Sequence, residues 1–206
     1  GQAQTGTGKT AAFLLSIYAR FVSDHKDAGQ RGDVCRPKAL ILAPTRELVV
    51  QIARDAEGLG KYVPFRCLAL YGGMDYERQQ KKLRETNYDL IAATPGRLLD
   101  FSNQGLLSFA ETKILVLDEA DRMLDMGFIP DVRRIIRKLP PREKRQTMLF
   151  SATLSPDVLR LASNWMTDPE VIEIEPESVA VDTVEQRIYL VSSDDKLKVL
   201  YNLLKS

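Results

Sequence analysis

The stretch Ile114-Leu115-Val116-Leu117-Asp118-Glu119-Ala120-Asp121 joins a short apolar run to a cluster of carboxylates. The four apolar residues are leucine or β-branched, which is typical of a buried strand in a parallel sheet. The first carboxylate would then lie at the carboxyl end of that strand, where open α/β sheets bind their ligands. The stretch therefore predicts an α/β fold with an acidic site at one edge of the sheet.

A second motif near the start of the chain predicts phosphate binding. It is the stretch Ala3-Gln4-Thr5-Gly6-Thr7-Gly8-Lys9-Thr10. The stretch fits the P-loop pattern, except that alanine replaces the first glycine. The two glycines permit a tight turn whose N–H groups face one anion, and the following helix adds the positive end of its dipole. We expect Lys9 to contact the β- and γ-phosphates of a nucleoside triphosphate and Thr10 to bind Mg²⁺. An ordinary glycine-rich turn is the alternative, which the Lys-Thr pair disfavours.

The two acidic residues after the strand have separate expected roles. Asp118 can hold Mg²⁺, largely through water, and Glu119 can orient or deprotonate the attacking water. Taken alone, the pair would be better interpreted as a simple helix N-cap. Together with the P-loop it indicates nucleoside triphosphate hydrolysis, with Lys9, Asp118 and Glu119 as candidate catalytic residues.

The composition is that of an ordinary globular protein. The chain has 206 residues, of which 44% are hydrophobic and 28% charged, a length that suits one α/β domain or one domain plus part of another. No signal peptide is visible, and no apolar run approaches the roughly 18 residues of a membrane span. Cys35 and Cys67 lack metal-ligand spacing and favour a reducing, cytoplasmic setting. His25 is the only histidine, which excludes histidine triads and histidine-rich metal sites.

The net charge of +1 and the pI near 7.9 fall short of the strongly basic signature of many nucleic-acid-binding domains. Any nucleic acid would therefore be bound through local contacts. One basic run could form a binding patch, but we interpret it as the solvated face of a helix and the loop after it. Its members are Arg133, Arg134, Arg137, Lys138, Arg142, Lys144 and Arg145.

Apolar runs alternate with amphipathic segments along the chain, which predicts a parallel sheet with crossover helices. The predicted strands are 39–43, 66–71, 90–93, 114–117 and 147–150. The predicted helices are 9–21, 46–59, 76–84, 96–102, 130–139 and 156–166. Leu48, Ile52, Ala56 and Leu59 are expected to form the buried stripe of the second helix. Residues 23–37 are predicted to form a surface loop.

Both ends of the chain depart from this pattern. A P-loop must follow a strand, yet only two residues precede Ala3, which suggests a piece of a longer protein. Towards the other end, residues 177–183 are typical of a linker, 184–191 of a strand and 194–204 of a helix. We therefore predict a nucleotide-binding domain over residues 1–178, and a linker with the start of a second domain over residues 179–206.

Taken together, the motifs resemble those of the DEAD-box ATP-dependent RNA helicases. The motif that names the family is Asp118-Glu119-Ala120-Asp121, and the family's own P-loop variant accounts for Ala3. The other motifs, in the family's order, are Pro44-Thr45-Arg46-Glu47-Leu48, Gly72-Gly73, Thr94-Pro95-Gly96-Arg97-Leu98 and Ser151-Ala152-Thr153. The resemblance covers essentially the whole chain. It implies a RecA-like P-loop NTPase domain, an α/β fold whose parallel β-sheet is flanked by helices on both faces, with ATP and Mg²⁺ as cofactors.

The resemblance also implies roles for individual residues. Asp121 would help to hold the interface to the second domain, and Ser151 and Thr153 would link Asp118 and Asp121 through hydroxyl hydrogen bonds. The Ser151-Ala152-Thr153 motif would thereby couple hydrolysis to strand separation, although simple helix caps are the alternative. RNA would contact Pro44, Thr45, Arg46, Gly72, Gly73, Thr94, Pro95, Gly96 and Arg97. Such backbone contacts imply binding without sequence specificity.

Some parts that the family implies fall outside residues 1–206. These are the adenine-recognition motif and the arginine finger of the second domain, so we expect this fragment alone to be nearly inactive. Residues 139–142 and 174–177 resemble the bacterial RNA-degradosome helicases of the RhlB-like kind, which implies ribonucleases or other RNA-processing proteins as partners. A nucleotide-switched RNA clamp and a DNA-directed helicase are the alternative functions.

Overall fold

The computed structural model describes residues 1–2, 8–23, 34–73, 75–174 and 188–205. The chain divides into two units, residues 1–175 and 176–206, which are described separately. The predicted P-loop residues 3–7, the linker 177–183 and most of the loop 23–37 lie outside the described residues.

The first unit is built on a parallel sheet of five strands in the order β2-β3-β1-β4-β5. The strands are β1 (Ala39–Leu42), β2 (Cys67–Leu70), β3 (Leu90–Ala93), β4 (Ile114–Leu117) and β5 (Gln146–Leu149). Every residue of β1, β3 and β4 is buried, as expected for continuous apolar runs covered on both faces. The α/β prediction is confirmed. The predicted strand bounds differ from the observed ones by one residue at most.

Helices follow the strands in the alternating order that the sequence predicts. They are α1 (Lys9–Ser23), α2 (Arg46–Leu59), α3 (Tyr76–Glu85), α4 (Pro95–Asn103), α5 (Ala120–Asp125), α6 (Ile129–Ile136) and α7 (Pro156–Trp165), with a 3₁₀ turn over Arg142–Lys144. The prediction missed α5, which is only six residues long and too short for a clear apolar period. The helix predicted over 130–139 is observed as α6, which is shorter than predicted because it ends at Ile136.

Successive strand residues point to opposite faces of the sheet and build two cores. Leu40, Leu42, Leu115 and Leu117 belong to the core that includes side chains of α4, α5, α6 and α7. Ala39, Ile41 and Val116 belong to the other core, under α1 and α2. Helices therefore cover both faces, as predicted.

The predicted buried stripe of α2 is partly wrong. Ile52 and Ala56 are buried, but Leu48 is only half-buried and Leu59 is 43% exposed. The buried face instead runs through Val49, Ile52, Ala53 and Ala56. Leu59 is the last residue of the helix and does not belong to the core that other apolar residues of α2 pack into.

Residues 1–2 continue the sheet beyond the end of β5. The Ser151 N–H donates to the Gly1 carbonyl (3.1 Å), and the Gln2 N–H donates to the Ile172 carbonyl (2.8 Å). The Ile174 N–H in turn donates to the Gln2 carbonyl (3.0 Å). The backbone of Gln2 thus pairs in parallel with Ser151 on one side and Glu173 on the other, which agrees with a central strand before the predicted P-loop.

The second unit contains α8 (Lys196–Lys205). The strand predicted over 184–191 is not formed by residues 188–191, and residues 184–187 lie outside the described part. Burial against neighbouring strands is what keeps an apolar run in a sheet, yet residues 188–191 are exposed. No described helix is both long and apolar enough to cross a membrane.

Candidate functional site

The motif residues converge on the edge of the sheet where the strands end. Asp118 directly follows β4, and Thr94 directly follows β3. Thr45, Gly72 and Ser151 come within three residues of the ends of β1, β2 and β5. Because parallel strands end at the same edge, motifs that are far apart in sequence form one surface.

The described part of the predicted P-loop is the start of α1. Gly8 has a φ of 82°, a backbone conformation that favours glycine, and its carbonyl accepts the N–H of Ala12 (3.0 Å). Lys9 and Thr10 form the first turn of α1, where helical N–H groups and the helix dipole favour a bound anion. These residues have the chemistry expected of a phosphate site.

Asp118 is a buried carboxylate next to this helix start. The residue is 3% exposed, and burial raises its pKa to about 6, although the charge of Lys9 acts in the opposite direction. The Glu119 N–H donates to the Asp118 carboxylate (3.0 Å). A buried carboxylate is stabilised in its charged form by a nearby cation, so Asp118 and Thr10 fit a hydrated Mg²⁺. Within the described residues, no group of three or more histidine, cysteine, aspartate and glutamate side chains is placed to hold a metal ion.

Glu119 has an unusual backbone conformation. Its φ of 51° and ψ of 53° lie in the left-handed region, which costs a residue with a side chain of this size some conformational energy. The conformation turns the chain sharply from β4 into α5, and the carboxylate lies 3.3 Å from the Arg122 guanidinium. Glu119 also lines the same cleft as Lys9 and Thr10 of the first turn of α1.

Asp121 forms hydrogen bonds with the motif that follows β5. The Asp121 N–H donates to the Ser151 hydroxyl (3.3 Å), while the N–H and hydroxyl of Thr153 donate to the Asp121 carboxylate (3.1 and 3.2 Å). Burial raises the pKa of Asp121, but hydrogen bonds from Arg122, Ser151 and Thr153 outweigh it and the net pKa is lowered. Both hydroxyls thus meet Asp121, and the predicted link from them to Asp118 stays a prediction. Ala152 is exposed between them.

A cleft of about 720 Å³ lies between the start of α1, one side of α2 and the end of β4. Its volume is in the range of small-molecule and cofactor sites. The lining includes Gly8, Lys9, Thr10, Thr45, Asp118, Glu119 and Arg122. The cleft therefore brings the candidate phosphate, metal and water-activating residues together.

A second group of motif residues lies around the ends of β1 and β2. The Arg46 guanidinium is 5.3 Å from the centre of the Tyr71 ring, and a Cβ added at Gly73 would lie 3.8 Å from Arg46 Nη1. Gly73 has a φ of 74°, and both Gly72 and Gly73 are exposed. These residues present a cation beside a side-chain-free backbone. Such a surface suits a sugar-phosphate chain.

The neighbouring threonines and prolines contribute differently. Thr45 caps α2 by accepting the Leu48 N–H (3.3 Å), whereas the Thr94 side chain makes no capping hydrogen bond at the start of α4. Pro44 and Pro95 are buried, so their rings would shape the backbone rather than touch a ligand.

Arg97 is held against aromatic rings. Its guanidinium lies 5.0 Å from the centre of the Tyr76 ring and 5.7 Å from that of Phe101. Its Nη1 atom is buried without a hydrogen-bond partner. The preceding residue, Gly96, is half-buried, and a Cβ added there would lie 4.0 Å from Asp131 Oδ2. The predicted RNA contact of Arg97 would therefore use its other nitrogens or a different side-chain conformation.

The basic run after Asp131 behaves as a solvated helix face and a structural loop. Arg134 pairs with Asp131 (3.4 Å), and Lys138 donates to Ser102 (3.1 Å) and Asn103 (2.8 Å) at the end of α4. Backbone carbonyls accept from Arg142 and Arg145. Arg133, Arg137 and Lys144 are exposed.

A parallel sheet that places a helix start and a buried aspartate on one cleft is an arrangement typical of nucleotide-binding proteins of the α/β class. The sequence model of the DEAD/DEAH box helicases matches residues 1–161, and the chain belongs to this family. The predicted family resemblance is confirmed.

Individual relatives support the same assignment. The chain is 54% identical, over 99% of its length, to the ATP-dependent RNA helicase RhlB of Pseudomonas putida, of which it covers 51%. It is 48% identical to the RhlB of Xanthomonas oryzae pv. oryzae over 99% of its length and 35% of that protein. The chain thus spans about half the length, or less, of these curated relatives.

A solved structure has the same fold. The crystal structure of a hypothetical ATP-dependent RNA helicase from Sulfolobus tokodaii superposes with a TM-score of 0.70 at 35% sequence identity. The match covers 84% of this chain and 46% of that one. The RecA-like arrangement predicted from the motifs is therefore also that of a solved relative.

Proposed function

We propose that the full-length protein containing this chain is an RNA-dependent ATPase that separates short RNA duplexes or removes proteins bound to RNA. The observation that carries the proposal is one sheet edge with two neighbouring sites. One is the cleft with Lys9 and the buried Asp118, and the other is the exposed surface with Arg46 and Gly73. ATP would occupy the first site and the RNA backbone the second.

The predicted P-loop, residues 3–10, would surround the phosphates of ATP, and Lys9 would contact the β- and γ-phosphates. Thr10 and Asp118 would hold Mg²⁺ largely through water, and the bound ion would neutralise charge that develops on the phosphates. Glu119 would orient the attacking water and accept its proton. The half-buried carboxylate at the cleft wall supports that role.

On the RNA surface, contacts through glycine backbone, threonine and arginine would bind phosphate and sugar without reading bases. Contacts to the 2′-hydroxyl would favour RNA over DNA. The hydrogen bonds that join Asp121 to Ser151 and Thr153 would connect the end of β5 to the cleft. Movement of the 151–153 motif would thereby couple hydrolysis to strand separation.

The family resemblance supports two further parts of the proposal. A cytoplasmic location would suit an enzyme of RNA turnover, and ribonucleases or other RNA-processing proteins would be its partners. Residues 1–206 alone would be nearly inactive, because an arginine finger from a second domain can raise the rate of phosphoryl transfer by about 10³–10⁵.

The variant Glu119→Gln tests the proposal in the full-length protein. It keeps the size and the hydrogen-bonding reach of the side chain but cannot accept a proton. We expect hydrolysis to fall about 10²-fold or more, while the protein still binds RNA in an ATP-dependent way. Lys9→Ala is the comparison, in which ATP binding itself should weaken. Normal turnover by Glu119→Gln would remove Glu119 from its role, and ATP-independent RNA binding would contradict the proposal.

A further inference from the structure

The backbone of Tyr71 faces the open edge of the described sheet. β2 is an outer strand with β3 as its one strand neighbour. The Thr94 N–H donates to the Leu70 carbonyl (3.0 Å), so the polar backbone groups of Leu70 face β3. Because successive residues of a strand direct these groups to opposite sides, those of Tyr71 face away from β3. Tyr71 is buried, and unpaired polar groups there would destabilise this end of the strand.

Gln79 of α3 supplies the missing hydrogen bonds. Its Oε1 accepts the Tyr71 N–H (3.1 Å), and its Nε2 donates to the Tyr71 carbonyl (3.2 Å). Gln79 is 4% exposed, so water does not compete freely for these groups. A single side-chain amide therefore pairs both backbone groups of Tyr71, as a neighbouring strand would.

Tyr71 in turn fixes the candidate RNA surface. Its ring carries the Arg46 guanidinium at 5.3 Å, and it directly precedes the exposed Gly72-Gly73 turn. The Arg46 guanidinium is also the nearest group to the position that a Cβ would take at Gly73. A displacement of Tyr71 would therefore move both the Arg46 guanidinium and the Gly72-Gly73 turn, which lie on the same surface.

We infer that Gln79 is a positioning residue for RNA binding, because it holds the Tyr71 backbone and, through it, Arg46 and the Gly72-Gly73 turn. The inference rests on the proposed function, since it presumes that this surface binds RNA. Gln79 itself is buried and acts only through Tyr71. The cleft that holds Lys9 and Asp118 does not include Gln79, Tyr71 or the glycine turn.

The test compares Gln79→Leu with Gln80→Leu in the full-length protein. Gln80 is the next residue of α3, and its amide makes only a long hydrogen bond to Gln104 (3.5 Å), so it is a matched control. Binding of a fluorescent single-stranded RNA is measured with a non-hydrolysable ATP analogue present, and binding of that analogue is measured separately. We expect Gln79→Leu to weaken RNA binding about tenfold, while the affinity for the analogue changes less than about twofold. Gln80→Leu should change neither affinity.

A second variant keeps the test decisive if Gln79→Leu fails to fold. Gln79→Asn keeps an uncharged amide but is one methylene shorter, so it should reach the Tyr71 backbone less well and its RNA affinity should lie below that of wild type. Unchanged RNA affinity in the folded variants would overturn the inference, as would equal losses of RNA and analogue binding. If the wild-type protein does not bind RNA at all, the proposed function fails, and the inference fails with it.

Discussion

At the scale of single residues, the charge of Asp118 is set by competing surroundings. Burial opposes the carboxylate, while Lys9 and the Glu119 N–H favour it, and the pKa is raised to about 6. A raised pKa means that the folded protein binds this proton more tightly than the unfolded chain. The free energy of unfolding should therefore fall as the pH rises from about 4 to about 6. At neutral pH the charged Asp118 carboxylate therefore lowers the free energy of unfolding, and a bound cation would offset this loss.

Asp118→Asn should remove this cost in the protein without Mg²⁺ or nucleotide. At pH 7.5 we expect the variant to be more stable than wild type by on the order of 2 kcal/mol, and the difference should shrink at pH 5. Urea unfolding at the two pH values measures the effect. Asp100→Asn, on the exposed surface, is the control, and its unfolding curve should overlay that of wild type. A less stable Asp118→Asn protein at pH 7.5 would contradict the account of burial.

The sequence predicts the residues that would contact a ligand, such as Asp118, better than the residues that hold such side chains in position. Asp118 follows an apolar run and Lys9 ends a glycine-rich loop, so local order along the chain reveals both. Gln79 carries no such signal, because its partner Tyr71 is defined by the open edge of a folded sheet. Arg97 illustrates the same limit, since its aromatic neighbours Tyr76 and Phe101 meet only in three dimensions.

At the scale of elements, the packing of α1 on α2 places the start of α1 in the cleft. The Tyr18 hydroxyl of α1 donates to the Ala56 carbonyl (2.6 Å), and the N–H of Gly60, the residue after α2, donates to the same carbonyl (2.8 Å). A Cβ added at Gly60 would lie 2.7 Å from this oxygen and 2.8 Å from the Tyr18 hydroxyl. There is therefore no room for a side chain at this junction.

Gly60→Ala should lower the free energy of unfolding by about 1–3 kcal/mol, because the backbone carbonyl cannot move aside. Gly58→Ala is the matched control, since a Cβ at Gly58 of α2 has no atom within 4 Å. That variant should be more stable than wild type by about 0.5–1 kcal/mol, through the helix preference of alanine. Chemical unfolding of both variants measures the difference. Equal stability of the two would show that the α1–α2 junction is not tightly packed.

Strands were easier to predict than short helices and chain ends. Each buried strand is a compact apolar run, such as 90–93 and 114–117, and its bounds follow directly from the sequence. Helix α5 escaped prediction because it has six residues and starts from Glu119 in a left-handed conformation, which no local pattern announces. Residues 188–191 are apolar enough for a strand, but they are exposed and pair with no described strand.

At the scale of the whole molecule, one geometric fact joins the two proposed activities. The parallel strands end at the same edge, so Lys9, Asp118 and Ser151 are brought together across more than half of the chain. Arg46 and Gly73 lie along the same edge, beside the cleft rather than within it. Under the proposed function, ATP and RNA would occupy adjacent sites, and a displacement at the end of one strand would alter the position of residues at the end of the next.

The central claim is that RNA bound at this edge stimulates ATP hydrolysis in the cleft. The most direct measurement is the ATPase rate of the full-length protein with single-stranded RNA, with DNA of the same sequence and with neither. Residues 1–206 alone are measured in parallel. We predict strong stimulation of the full-length protein by RNA, little by DNA, and almost no hydrolysis by residues 1–206. A rate that neither nucleic acid changes, or that DNA raises as much as RNA, would contradict the account.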